Sequence, residues 1–223
     1  MIFSIPNVFT RQEIATMNSS LASSEFKDGK LTAGWHAKLV KNNQQLSKQD
    51  VLSNKLTTQV KSALNRNNLF QTVVRPKSIH SILFSRYDVG MSYDRHVDNA
   101  LMNDGRMWRT DVSFTLFLNS PQEYEGGELV VEGAHEERKY KLEAGSAIVY
   151  PSTSLHRVNP VTKGTRLVAV GWVQSLVREA EDREILFDLE TARRVIFNRD
   201  GKTAEFDLIS KSIANLLRKW ADV

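Results

Sequence analysis

The stretch "SYDRHVDNA", residues 92–100, places His96 two residues before Asp98. In an extended segment, residues two apart project to the same face, so this imidazole and this carboxylate would lie side by side. Such a pair has two ordinary uses. The side chains can hydrogen-bond to each other as a structural pair, or they can bind a third group together, usually a metal. The stretch alone leaves both uses open and favours the structural pair.

Two other residues, much later in the chain, could also take part in binding a metal or an anion. His156 lies in the polar loop of "YPSTSLHRVNPVTKGTR", and Arg166 follows ten residues later at the head of "RLVAVGWV". His156 is either a surface histidine or a ligand. Arg166 starts an apolar strand, where a buried guanidinium needs an acidic partner, so it closes a salt bridge or binds an anion.

Taken together, His96, Asp98 and His156 make two imidazoles and one carboxylate. This set is the facial triad of non-haem iron(II) sites, which leaves metal positions open. Zinc accepts the same ligands. Arg166 favours iron, because its planar fork could bind a dicarboxylate cosubstrate through two hydrogen bonds.

The other three histidines are expected to be structural or solvated. His36 follows Trp35 in a predicted strand, and His80 lies in the first predicted β-run as a candidate core histidine. His135 lies in the charged loop "EGAHEERK" and is predicted to be solvated.

Two helices are predicted in the N-terminal part of the chain. "TRQEIATMNSSLAS" has Thr10 and Glu13 at the spacing of a capping box. "SKQDVLSNKLTTQVKSALNRN" has Ser47 and Asp50 before a run with one apolar face. Between these two predicted helices, "LTAGWHAKLVKNNQQ" is expected to form a strand and a loop.

From about residue 77 the pattern becomes that of short strands. The runs are β-branched and aromatic, and turn residues separate them: "KSIHSILFSRY", "TDVSFTLFLNS", "GELVVEG", "RKYKLEAGSAIVYPS" and "RLVAVGWVQSLV". Within "DVSFTLFLN", apolar residues from Val112 to Leu118 alternate with smaller or polar ones, apart from Phe117. Five or more short strands at this spacing predict a sandwich or a barrel.

The helical period returns after about residue 176. "LVREAEDREILFDLETARRVIF" predicts one long helix that ends near "NRDG", at Asn198 or Gly201. "TAEFDLISKSIANLLRKWADV" predicts a second helix with one apolar stripe. We expect this stripe to pack on its partner helix or on the β region, with oligomerisation as its other use. Its members are Phe206, Ile209, Ile213, Leu216 and Trp220.

Composition limits the possible classes of protein. Of the 223 residues, 41% are hydrophobic and 25% charged, as in ordinary globular proteins. No apolar run approaches the length of a transmembrane helix, and the start of the chain, which meets Pro6 early, lacks the basic region of a secretory signal. The absence of cysteine excludes disulfides and thiolate metal sites and is consistent with a cytoplasmic protein. The formal charge of +4 is scattered, so nucleic-acid binding is not expected.

Three motifs in their order along the chain resemble a known family. They are the "HVD" at residues 96–98, the "GGEL" at residues 126–129, and "AGSAIVYPSTSLHRVNPVTKGTRLVAVGWVQS". The chain resembles the iron(II)/2-oxoglutarate-dependent dioxygenases of the prolyl 4-hydroxylase type, and in particular the bacterial PKHD-type hydroxylases. The resemblance covers the whole chain, including the C-terminal helices.

This resemblance implies a fold that is mainly β with flanking helices. It has a double-stranded β-helix (jelly-roll) core and a small C-terminal helical unit, in agreement with the strand pattern. We therefore divide the chain into three parts. Residues 1–76 would form helices and strands packing on the core, residues 77–176 the dioxygenase core, and residues 177–223 the helical extension.

The resemblance also implies roles for five residues. His96, Asp98 and His156 would be the iron ligands and catalytic centre, and Arg166 would bind the distal carboxylate of 2-oxoglutarate. Tyr87, in "SRYDVG", would hydrogen-bond this cosubstrate, or else it is a core tyrosine.

The implied reaction uses iron(II), 2-oxoglutarate and O₂ to hydroxylate a substrate C–H bond, and it releases succinate and CO₂. L-ascorbate (vitamin C) is the reductant that such enzymes commonly use to keep iron ferrous. The substrate, a small molecule or a peptide, cannot be read from the sequence, because function belongs to the site and not to the fold. No membrane partner is expected, and an oligomer could form through the C-terminal helices.

Further residues are expected around this site. Tyr93, Tyr150 and the strand "TDVSFTLFLN" would border the pocket, and Gly126-Gly127 would form a tight turn with positive φ. Two other functions stay open. One is a cupin-type metal-binding protein or isomerase without 2-oxoglutarate turnover, and the other is a non-enzymatic module whose C-terminal helices recruit a partner.

Overall fold

The computed structural model describes residues 1–35 and 37–223. The prediction of a structural role for His36 therefore lies outside the described residues.

The described part of the chain contains five α-helices and sixteen strands. The helices are α1 (Arg11–Ala22), α2 (Val51–Arg66), α3 (Asn68–Val74), α4 (Ala180–Asp200) and α5 (Ala204–Trp220). The strands are β1 (Phe3–Ile5), β2 (Phe26–Asp28), β3 (Lys41–Asn42), β4 (Gln44–Leu46), β5 (Pro76–Tyr87), β6 (Ser92–His96), β7 (Leu101–Asn103), β8 (Met107–Arg109), β9 (Val112–Phe117), β10 (Tyr124–Gly126), β11 (Leu129–Glu132), β12 (Glu137–Tyr140), β13 (Ala147–Pro151), β14 (His156–Val158), β15 (Val161–Gly164) and β16 (Arg166–Ser175).

Two antiparallel sheets form the body of the protein. The larger has the strand order β1-β13-β9-β16-β5-β4-β2, and the smaller has the order β12-β11-β14-β6-β3. Side chains of both sheets share one apolar core, in which Phe117 and Tyr150 of the larger sheet meet Leu129, Val131 and Val158 of the smaller. The two sheets therefore face each other as a sandwich, and the predicted mainly β class is confirmed.

The outer face of the larger sheet is covered by helices. Ile14 of α1, Leu56 of α2 and Phe70 of α3 pack with Phe84 of β5 and Phe114 of β9 in a second apolar core. Because the larger sheet is covered on both faces, most residues of its central strands β9, β16 and β5 are buried.

Strand β9 shows the consequence of this double covering. All six of its residues are buried, so the predicted alternation describes the size of the side chains and not their exposure. Phe114 and Leu116 belong to the core under the helices, whereas Phe117 belongs to the core between the sheets. The small polar residues Ser113 and Thr115 line a cleft between the two sheets.

The N-terminal helices begin at side-chain caps. Thr10 accepts a hydrogen bond from the Glu13 N–H, and the Glu13 carboxylate accepts one from the Thr10 N–H at 2.8 Å, so the predicted capping box is confirmed. Asp50 caps α2 by accepting from the Leu52 N–H at 2.8 Å. Ser47 is not the capping residue of α2, because it lies before the turn that leads to Asp50.

Strands of the first 76 residues are hydrogen-bonded into both sheets. β1 pairs with β13 and β4 pairs with β5 in the larger sheet, and β3 pairs with β6 in the smaller. The segment expected to hold a strand and a loop contains β3, part of β4, the end of a 3₁₀ turn at Gly29–Thr32 and a second 3₁₀ turn at Ala37–Leu39. The tripartite division of the chain stays a prediction.

The C-terminal helices pack on each other. α4 continues through Asn198 and ends at Gly201, whose φ of 76° suits glycine, so the second of the two predicted stops is confirmed. On α5, Ile213 is buried and packs with Leu186 of α4 in a small third core, which Ile209, Leu216, Leu217 and Trp220 flank. This confirms the prediction that the stripe packs on its partner helix. No helix among the described residues is both long enough and apolar enough to cross a membrane.

Candidate active site

The structure brings His96, Asp98 and His156 together inside the cleft. His96 ends β6 and His156 begins β14, and the two residues are direct partners where these strands pair. One donor atom from each of the three side chains lies within 4.8 Å of the other two. His156 Nε2 is 3.8 Å from Asp98 Oδ2. The predicted set therefore forms a cluster of side chains that could hold a metal ion.

Backbone carbonyls orient both imidazoles. His96 Nδ1 lies 2.7 Å from the carbonyl oxygen of Asp94, and His156 Nδ1 lies 3.0 Å from that of Ser154. Since a carbonyl can only accept, each Nδ1 donates this hydrogen bond, and Nε2 is the ring nitrogen left to face a metal. Among the described residues no hydrogen bond joins His96 to Asp98, so the geometry does not support the structural-pair interpretation.

The Asp98 carboxylate is positioned from the neighbouring sheet. Ser113 of β9 donates its hydroxyl to Asp98 Oδ2 at 2.6 Å, and the Ser113 and Ser152 hydroxyls lie 2.8 Å apart. Asp98 lies beyond the end of β6 and is not held by strand pairing, so Ser113 is the contact that orients it.

Burial keeps the His96 imidazole uncharged. Desolvation and the neighbouring His156 lower the pKa of His96 to about 4. His96 is therefore neutral at pH 7, as a metal ligand must be.

Two tyrosines border the cluster, as predicted. The Tyr93 ring stacks on His96 with centroids 3.6 Å apart, and the Tyr150 ring meets His156 edge-on at 5.1 Å. Burial, with a further contribution from the Asp98 charge, raises the pKa of Tyr150 well above its ordinary value. Both rings line the cleft and shield the imidazoles from water.

Arg166 lies in the same cleft, whose empty volume is about 820 Å³ with part of it open to solvent. Arg166 begins β16 and is only 1% exposed. Its Nε and Nη1 atoms have no hydrogen-bond partner, although its Cζ lies 5.0 Å from the Tyr87 ring centroid and 5.7 Å from that of Phe117. Among the described residues no carboxylate pairs with it, so the structure does not contain the salt bridge weighed for this residue. A buried guanidinium with free donors is costly unless an anion joins it.

The Gly126-Gly127 turn makes room for this arginine. Both residues have positive φ, 70° and 65°, so the predicted turn is confirmed. A Cβ on Gly127 would lie 3.1 Å from the Arg166 Cδ and 3.2 Å from the Tyr124 ring. The lack of a side chain at Gly127 is therefore what lets the arginine lie against the turn.

Tyr87 belongs both to the core and to the cleft wall. It is 3% exposed, pairs across the sheet with Arg166, and packs in the core between the sheets. Burial raises the pKa of its hydroxyl, with Arg166 acting in the opposite direction. Tyr87 is therefore protonated at neutral pH and can donate a hydrogen bond.

A polar wall of the cleft was missed by the sequence reasoning. Lys41 of β3 is 5% exposed and donates to Thr32 Oγ1 at 3.1 Å. Burial lowers the pKa of Lys41 to about 8, an effect that the charges of Asp98 and Asp28 partly offset. No periodic pattern marks Lys41, because β3 has only two residues. The sequence did offer one signal of its burial, because Lys41 directly follows the apolar Val40 in a stretch rich in lysine.

The remaining described histidines agree with their predictions. His80 is buried, lies 3.3 Å from the Arg109 carbonyl oxygen and stacks on Trp108 with centroids 5.7 Å apart. His135 is exposed.

Comparison with known proteins identifies the family to which this chain belongs. The family model described as the 2OG-Fe(II) oxygenase superfamily matches residues 82–174. The chain is 66% identical over 222 residues to a PKHD-type hydroxylase of Gloeothece citriformis, covering all of both chains. It is 62% identical over 222 residues to a PKHD-type hydroxylase of Picosynechococcus, again covering all of both.

Solved structures share the fold. A Pseudomonas putida prolyl-4-hydroxylase superposes with a TM-score of 0.53 at 21% identity, covering 78% of this chain and 92% of that one. An oxidoreductase of the 2OG-Fe(II) oxygenase family from Burkholderia pseudomallei gives 0.55 at 16% identity, covering 77% and 82%. At such identities the likeness concerns the architecture, which is that of the expected jelly-roll.

Proposed function

The chain belongs to the PKHD-type hydroxylases of the 2OG-Fe(II) oxygenase superfamily, and on that premise we propose that His96, Asp98 and His156 hold its iron and Arg166 its 2-oxoglutarate. The protein is an iron(II)- and 2-oxoglutarate-dependent dioxygenase that hydroxylates a C–H bond. This membership decides against the cupin-type and non-enzymatic alternatives.

The observation that carries the metal assignment is the convergence of three donor atoms within 4.8 Å in a buried cleft. Two imidazoles and one carboxylate are a set that suits iron(II) and leaves positions open for cosubstrate and O₂. Ser113, which donates to Asp98, keeps the carboxylate turned toward the imidazoles.

The cosubstrate assignment is supported by the unsatisfied guanidinium of Arg166. A dicarboxylate reaching from the metal cluster would supply the anion that the Nε and Nη1 donors lack. Tyr87, whose ring lies beside this guanidinium, is proposed as a hydrogen-bond donor to the same molecule.

When bound, iron and 2-oxoglutarate supply the oxidising chemistry, with release of succinate and CO₂. The residues of this chain position the bound groups and exclude water from them. The Tyr93 stack fixes the plane of His96, and Phe117 and Tyr87 close the apolar surroundings of Arg166. A water-poor site of this kind strengthens each of the charge interactions within it.

The setting of the reaction is also a proposal. The lack of cysteine supports a cytoplasmic location, and the scattered basic residues argue against a nucleic-acid substrate. L-ascorbate is proposed as the reductant of the iron. An oligomer through the C-terminal helices would have to use side chains that their mutual packing leaves exposed, such as Phe197 and Leu208.

Binding of Mn(II), a redox-stable substitute for iron(II), tests the metal assignment. In an electron paramagnetic resonance titration with 2-oxoglutarate present, we expect wild-type protein to bind one Mn(II) per chain. Asp98→Ala should bind at least about tenfold more weakly, because a charged ligand is lost. His135→Ala, which removes an exposed histidine, is the matched control and should bind as wild type does. Equal binding by Asp98→Ala would refute the assignment.

A further inference from the structure

We propose that the substrate is a small molecule carrying a carboxylate, and that the Lys41 ammonium holds this carboxylate inside the cleft. The inference rests on the function proposed above and adds the chemical class of the substrate to it.

Lys41 lies close to the metal cluster without belonging to it. It pairs with Tyr93 where β3 joins β6, and its Nζ lies 5.3 Å from the centroid of the Tyr93 ring. The same Tyr93 ring stacks on His96, with centroids 3.6 Å apart. An anion bound to Lys41 would therefore lie near the metal cluster.

The Lys41 ammonium has hydrogen-bonding capacity to spare. Of its three N–H donors, one is used by Thr32 Oγ1 at 3.1 Å. Among the described residues no carboxylate lies within ion-pair distance of it, and the nearest acidic charges, Asp98 and Asp28, act at longer range. Its side chain is nevertheless buried and lines the cleft. A buried ammonium without a counter-ion is costly, and an anionic ligand would remove this cost.

A chain of hydrogen bonds fixes the position of the ammonium. Thr32 accepts from Lys41 and donates to Gln45 Oε1 at 2.5 Å, and Gln45 Nε2 donates to Ser85 Oγ at 3.1 Å. Thr32, Gln45 and Ser85 all line the cleft. These hydrogen bonds therefore hold the Lys41 ammonium in a fixed position, as expected of a residue that binds a ligand.

The balance of charges indicates a single negative charge on the substrate. Among the described residues that line the cleft, the acidic, lysine and arginine side chains are Lys41, Asp98 and Arg166. In the loaded site, iron(II) and Arg166 would balance the Asp98 carboxylate and dianionic 2-oxoglutarate. Lys41 is then the one charge left without a partner, so a monoanion would complete the balance.

A carboxylate of small size suits this place best. Most of the side chains that line the cleft are buried between the two sheets, which favours a small ligand. A phosphate monoester carries about −1.5 to −2 charge at pH 7, whereas a carboxylate carries the single negative charge that would balance Lys41.

The test compares two probes that differ by one charge, N-acetylglycine and N-acetylglycinamide. Full-length protein is loaded with Mn(II) and 2-oxoglutarate, and paramagnetic broadening of the acetyl methyl signal reports binding near the metal. The wild type should bind the carboxylate probe at least about tenfold more tightly than the amide. Lys41→Met should lose this preference and Lys41→Arg should keep it. Lys38→Met, which removes an exposed lysine three residues away, should behave as wild type.

The outcomes separate this inference from the function on which it rests. If wild-type protein binds Mn(II) and 2-oxoglutarate but broadens both probes equally, or not at all, the inference is overturned and the proposed function stands. A preference that survives in Lys41→Met would overturn the inference too, and so would a tenfold loss of 2-oxoglutarate affinity in that variant, which would make Lys41 a cosubstrate residue. If the wild type binds neither metal nor 2-oxoglutarate, both proposals fall together.

Discussion

Replacing Arg166 by methionine should change cosubstrate affinity and apoprotein stability in opposite directions. Arg166 is 1% exposed, and its Nε and Nη1 donors have no protein partner. In the free protein its charge is therefore a cost, offset only in part by the faces of Tyr87 and Phe117. Methionine has a similar length and no charge, so it removes this cost without leaving a large cavity.

The magnitudes follow from this geometry. Loss of one partner from a buried charge pair costs about 2–5 kcal/mol, so 2-oxoglutarate should bind about thirtyfold to a few thousandfold more weakly. Without ligand, replacing a buried unpaired charge by an apolar side chain should raise the free energy of unfolding by about 1–4 kcal/mol. Arg166→Lys should be intermediate in affinity, because an ammonium lacks the planar fork.

Two assays measure these effects on the same preparations. Anaerobic titration of the iron(II)-loaded protein gives the Kd of 2-oxoglutarate, and urea unfolding of the metal-free protein gives the free energy of unfolding. Arg95→Met is the matched control, because Arg95 is 59% exposed and pairs with Glu132 at the surface, a pair worth at most about 1 kcal/mol. Unchanged 2-oxoglutarate affinity in Arg166→Met would refute the reasoning, whatever happened to stability.

Three further predictions concern the surroundings of the metal cluster. Ser113→Ala should weaken Mn(II) binding about tenfold or more without loss of fold, because Asp98 loses the donor that orients it; calorimetry checks this. Gly127→Ala should weaken 2-oxoglutarate binding, since its Cβ would crowd the buried arginine. Gly105→Ala is the control, because Gly105 also has a positive φ but no atoms near its Cβ position, and it should leave that affinity intact in the same titration. The folded protein holds the pKa of His96 at about 4, against 6.5 when unfolded, so the unfolded chain binds more protons between these values. The free energy of unfolding of the metal-free protein should therefore fall as pH drops from about 6.5 toward 4, and less steeply in His96→Asn, by urea titration.

The chemistry-bearing part of the site was predictable because its signals are local. His96 and Asp98 are two residues apart, and Arg166 lies at the start of a strand that composition predicts. His156, which the sequence placed in a polar loop, begins the short strand β14. The strands needed only to be antiparallel neighbours for the histidines to meet. Their pairing in register then brought the donor atoms together.

The polar wall was not predictable for the opposite reason. Lys41, Thr32 and Gln45 come from very short strands and 3₁₀ turns, which have too few residues to show a period. Their side chains enter the cleft only because β3 and β4 pair into different sheets, a tertiary arrangement that no local pattern encodes. The same limit applies to the burial of β9 on both faces, which depends on the helices that cover the larger sheet.

Helix α3 was also missed, although its boundaries carry readable signals. Asn67 caps it by accepting from the Phe70 N–H at 2.9 Å, and Arg75 ends it in the left-handed region just before Pro76. The helix has only seven residues, so its apolar pattern spans barely two turns. Packing of Phe70, Val73 and Val74 into the core under the helices stabilises it.

The most direct test of the metal and cosubstrate assignment is the visible spectrum of the anaerobic protein after addition of iron(II) and then 2-oxoglutarate. A keto acid chelated to iron(II) gives a weak charge-transfer band. We predict this band for the wild type and for His135→Ala, and its loss in His96→Ala with the fold intact by circular dichroism. A wild-type protein that binds iron without the band, or a band that persists in His96→Ala, would contradict the assignment of His96, Asp98 and His156.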